Sequence, residues 1–185
     1  MQKYIEKEKE IQIILMEFID GERDYKDFLR QLEGYQLPNN QYEFKSFLYI
    51  LINISNNHHR SPTFFAKIEQ IIRFYKSSIL QLFSNFEIFH IFHSNKRILL
   101  FIIEEKMLTI DESIFKQIEN KDYQEYFLPE LHPFLRQIIS EETDQTTFYT
   151  NRKNGENDSF ICKLIRDDSV IEFITHINRT NISLL

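Results

Sequence analysis

Apolar residues recur at helical spacing along most of this chain. In residues 2–19, Ile11, Ile14, Leu15 and Phe18 follow the i, i+3, i+4, i+7 rule that gathers side chains on one helical face. The first turns of that segment alternate Lys and Glu, the pattern of a solvated helix end. "DGERD" breaks the run at Gly21, and a second helix follows with Phe28, Leu29 and Leu32 as its buried stripe. "GYQLPNN" reads as a loop. Asn40 then caps a third helix over about Gln41–Asn53, apolar on so much of its circumference that it should sit centrally.

"SNNHHRSP" is the next break. Ser61 and Pro62 form an N-cap and first-turn pair, because the amide that proline lacks has no helical partner there. Phe64, Phe65, Ile68, Ile71, Ile72 and Tyr75 line the helix they open, and "KSSILQLF" continues it or forms a short successor. From Ser84 the pattern is one of helix pairs. "NFEIFHIFHS" turns Ile88, Phe89 and Phe92 inward, Asn95 opens "KRILLFIIEEKML", and Asp111 opens "ESIFKQIENK". Pro129 and Pro133 mark boundaries or starts in the next stretch. Residues 143–157 are polar and aperiodic, as in a linker or loop.

Two short amphipathic helices close the sequence. Ile161, Leu164 and Ile165 share a face of the first; Val170, Phe173, Ile174 and Ile177 share a face of the second. Ser169 and Glu172 stand in the S-x-x-E relation of a capping box, which leaves only about "RDD" for the turn. Helices of two and three turns cannot shield their apolar faces alone, a problem that repeat arrays solve by stacking.

Composition narrows the class. With 18 Phe, 9 Tyr and a 42% hydrophobic fraction the 185 residues can bury a real core, while 3 Gly and 4 Pro are too few for an all-β fold or a glycine-rich phosphate loop. The formal net charge of -6 disfavours non-specific binding to nucleic acid or an anionic membrane. "ILLFII" and "FLYILI" are far shorter than the roughly 20 residues of a membrane span. Cys162 is the only cysteine, and "MQKYIEKEKE" lacks a signal peptide's apolar segment. The expectation is an intracellular, cytoplasmic protein with no nucleic-acid partner and no membrane insertion.

Candidate chemistry is sparse. His90 and His93 are three apart and could ligate a metal if His132 or another group supplied a third ligand, yet no H-E-x-x-H, Cys cluster or EF-hand loop accompanies them. His58 and His59 fall in a polar loop. Cys162 lies between inward Ile161 and Leu164 with His176 opposite it on the second helix, and reads as a semi-buried thiol. Glu104–Glu105, Glu141–Glu142 and Asp167–Asp168 are sequence neighbours, which a helix splays about 100° apart, so none forms a facing acid/base pair. Lys96–Arg97 and Arg152–Lys153 are too small for a nucleic-acid footprint. No catalytic, cofactor-binding or metal-ligating residue is assigned.

The closing helix pair resembles an ankyrin repeat. "FICKLIRDD" stands at the first helix, "SVIEFITHI" at the second and "NRTNISL" at the outgoing hairpin. "NDSF" replaces the consensus T-P-L-H and the usual glycines are absent, as in a divergent or terminal repeat. "FEIFHIFHSNKRILLFIIEEKMLTID" shows the same order a little over 70 residues earlier, about two ankyrin periods. Together with "SPTFFAKIEQI" and "YFLPEL", these phrases are similar to the helical region that precedes ankyrin repeats in a family of proteins expanded in certain protists. The resemblance covers roughly Tyr42 to the C-terminus and implies a non-enzymatic, protein-binding role.

The expected fold is therefore all-α. A helical domain over 1–142, either solenoid-like or an irregular bundle, precedes the 143–157 linker and an incomplete ankyrin-like repeat over 158–185. The expected function is a protein–protein interaction module of scaffold or adaptor type. Val170, Phe173, Ile174, Ile177, Ile182, Leu184 and Leu185 form its docking surface for another protein or a second copy of the chain. The alternatives are a structural cap for a longer ankyrin array and a metal-binding helical protein using His90 and His93.

Overall fold

The computed structural model describes residues 2–57, 63–118, 121–134, 152, 164 and 169–180. Those residues contain helices and turns and no strand. The eleven α-helices among them are α1 (Gln2–Asp20), α2 (Tyr25–Gly34), α3 (Gln41–Asn57), α4 (Phe64–Phe74), α5 (Lys76–Leu82), α6 (Asn85–Phe92), α7 (Lys96–Glu104), α8 (Glu112–Phe115), α9 (Lys121–Tyr126), α10 (Leu128–Leu131) and α11 (Val170–Thr180). The chain divides into two compact units, Met1–Arg136 and Gln137–Leu185. The expected Ser61–Pro62 cap and the first helix of the closing pair, Leu164 excepted, lie outside the described residues. Of the expected 143–157 linker, Arg152 alone is described.

Polar side chains cap five of the first unit's ten described α-helices. Asp24 accepts hydrogen bonds from the Lys26 and Asp27 amides at α2, and Asn40 accepts from the Tyr42 and Glu43 amides at α3. Ser84 and Glu87 form a reciprocal capping box at α6. Asn95 caps α7 through the Ile98 amide, and Asp111 caps α8 through the Ser113 and Ile114 amides. Asn95 is itself buried and donates to Asn56 Oδ1 at 2.8 Å, so the cap also ties the α6–α7 turn to the end of α3. Asn85 exchanges hydrogen bonds with the Thr109 backbone and donates to Asp111 Oδ2, joining the starts of α6 and α8.

Left-handed residues follow three helices: Gly21 after α1, Gln36 after α2 and Lys106 after α7. At α1 the Glu22 amide donates to Glu17 O and the Gly21 amide to Phe18 O, the paired bonds of a Schellman motif, with Gly21 at φ 85°. Lys67 Nζ reaches across from α4 to Ile19 O at 2.8 Å and to Phe18 O, which also accepts the Gly21 amide, at 3.1 Å. At α7 the Met107 amide donates to Ile102 O and the Lys106 amide to Ile103 O, but the left-handed position is Lys106, at φ 57°.

Six of the first unit's ten described α-helices pack in two rows. α1, α3, α6 and α8 touch in succession in one, and α4 packs on α7 in the other; α1–α4, α3–α4 and α6–α7 join the rows. One continuous core runs from Ile11 to Leu131. α7 is its innermost helix: Ile98, Leu99, Leu100, Phe101 and Ile102 are all buried, so its whole circumference is covered. The expected central helix, α3, buries Phe44, Phe47, Leu48, Leu51 and Ile52 but leaves Tyr49 exposed. Phe44 and Phe47 pack on the Tyr75 ring, where burial pushes the phenol pKa well up.

Candidate interaction surface

In the second unit α11 follows Ser169, whose carbonyl accepts the Phe173 amide at 2.9 Å and so takes the first helical bond. Glu172 in its first turn and Arg179 in its last complement the helix dipole. Thr175 folds its hydroxyl back onto Ile171 O at 2.7 Å. The Ser169 amide donates to the carbonyl of Leu164, a buried helical residue, at 2.9 Å.

Burial is uneven around α11. Phe173 and His176, three residues apart, are half-buried. Val170, Ile171 and Ile174 are 58%, 82% and 53% exposed. At about 100° per residue these three span an arc of about 100°, as wide as the apolar stripe by which a surface helix normally packs. Among the residues expected to dock a partner, Val170 and Ile174 stand on this arc and Phe173 lies at its half-buried side. The Ile177 side chain and all of Ile182, Leu184 and Leu185 lie outside the described residues. Ile171 was not legible as part of the surface. It falls beside the Val170–Ile174 stripe in sequence, and its i, i+3 relation to Ile174 is the signal that adds it.

His90 and His93 form a ring cluster at the end of α6. His90 packs edge-on to Phe86 at 4.3 Å and lies 5.6 Å from His93, between ring centroids. His93 Nδ1 is 2.9 Å from His90 O. A carbonyl can only accept, so Nδ1 holds the proton and Nε2 alone stays open for a metal. Among the described residues no group of three or more His, Cys, Asp or Glu is placed to hold a metal ion. His58, His59, Cys162 and the His132 side chain are outside that set.

The charged pairs serve the packing. Glu105 Oε1 accepts from Arg73 Nε at 2.9 Å, and Lys76 Nζ reaches Glu105 Oε2 at 3.2 Å and Glu105 O at 2.6 Å. The Arg73 hydrogen bond first, then that of Lys76, holds this carboxyl below its ordinary value. Glu105 is therefore a clamp between α4, α5 and the end of α7, not half of an acid/base pair with Glu104. Lys96 and Arg97 are separated in the same way. Lys96 Nζ lies over the Tyr123 and Tyr126 rings at 5.4 and 5.8 Å. Arg97 is largely buried, bonded to Glu69 Oε1 at 2.5 Å and set over the Phe65 ring at 5.6 Å.

An open groove of about 320 Å³ runs between α1 and α3, floored by Met16, Ile50 and Ile54 and rimmed by Gln12, Asn53 and Asn57. Among the described residues no helix is long and apolar enough to cross a membrane. No family model, curated protein or solved structure matches the chain.

Proposed function

We propose that this chain is a non-enzymatic protein–protein interaction module, an ankyrin-type scaffold or adaptor, that docks a protein partner through the apolar arc of α11. The observation that carries this is the exposure of Val170, Ile171 and Ile174 together on one arc. Fully covering a side chain of this kind is worth roughly 1.5–3 kcal/mol, so a partner surface laid over the arc gains from each of the three. The bond between Ser169 and Leu164 supports a tightly connected helix pair, and such a pair completes its core by stacking. The two helical rows of Met1–Arg136 support the same class of architecture. The ankyrin-like assignment itself rests on the sequence phrases at the end of the chain.

The test uses the full chain with Ile171→Asp and Ile174→Asp, because both side chains are exposed and their loss leaves the packed side of α11 in place. Light scattering over a concentration series reads self-association, and affinity capture from the native cell reads other partners. The expected outcome is assembly or a stoichiometric partner for the wild type, lost in both variants at unchanged helicity and melting temperature. A wild type that stays monomeric, with captured proteins indifferent to both substitutions, overturns the proposal.

A further inference from the structure

We draw no further inference here: the strongest candidate, the open groove between α1 and α3 floored by Met16, Ile50 and Ile54, is a partly apolar unpartnered face, and nothing in the structure shows what covers it.

Discussion

Gly21 and Lys106 occupy the same position of the same motif with opposite backbone costs. A left-handed residue is needed at both helix ends, and only glycine takes it without crowding its own carbonyl. At Gly21 a Cβ would meet nothing nearer than Lys67 Nζ at 3.6 Å, so space is available and the backbone alone sets the penalty. Gly21→Ala is expected to cost about 1 kcal/mol. Lys106→Gly is expected to gain about 0.5 kcal/mol, the relief of strain less the glycine's larger entropy loss. Urea midpoints at constant slope measure both. Arg97 poses a different balance. Its Nη2 pairs with Glu69, but Nε and Nη1 are buried with no hydrogen-bond partner. Removing Glu69 strands the charge, so Glu69→Ala should destabilise by about 3–5 kcal/mol, while Glu69→Leu with Arg97→Met should be close to neutral. A double-mutant cycle in urea separates the two outcomes.

Helix starts connect the elements to pH. Asp24 is held below its ordinary pKa by hydrogen bonds from the Asp27 and then the Lys26 amide. Glu87 is held low by the Ser84 amide, and Asp111 by the Ser113 hydroxyl and then the Ile114 amide. Each carboxyl therefore binds a proton less readily folded than unfolded. Its contribution is fully present above the unfolded carboxylate range, about pH 4–4.5, and is lost as the pH falls through that range toward the folded value. The melting temperature should hold from pH 7 to about pH 5 and then drop. Asp24→Asn with Asp111→Asn keeps a good cap at neutral pH but cannot take up a proton, so the acid-side slope should become shallower. An unchanged slope would assign the acid sensitivity to other groups. Cap residues are also where the sequence was most legible at this scale. Asn40, Ser84, Asn95 and Asp111 opened helices as read, because a capping side chain acts on amides two or three residues away. The α4–α5 break at Tyr75 was one of two readings left open for "KSSILQLF", and the short extent of α8 was not legible. No glycine or proline marks either, and packing around Tyr75 and Ile114 decides them.

At the scale of the whole molecule, the continuous core from Ile11 to Leu131 lies within the unit Met1–Arg136. A fragment ending at Arg136 is expected to fold alone, with a single cooperative thermal transition and helical circular dichroism. A fragment that melts without cooperativity would show that this core depends on residues after Arg136. By itself the sequence determined the helical class, most helix starts and which face of each amphipathic helix turns inward, because propensity, capping and 3.6-residue periodicity act within a few residues of chain. Only tertiary structure decided which greasy helix lies innermost: α3 read as central, but it leaves Tyr49 exposed while α7 buries five consecutive residues, Ile98 to Ile102. Only tertiary structure placed Lys67 on the end of α1, Arg97 against Glu69 and Glu105 between Arg73 and Lys76. Such partners lie dozens of residues apart, and no local pattern encodes them. The same holds for α11. Its apolar stripe was legible, with Val170 and Ile174 on it, but the exposure of Ile171 beside them was not.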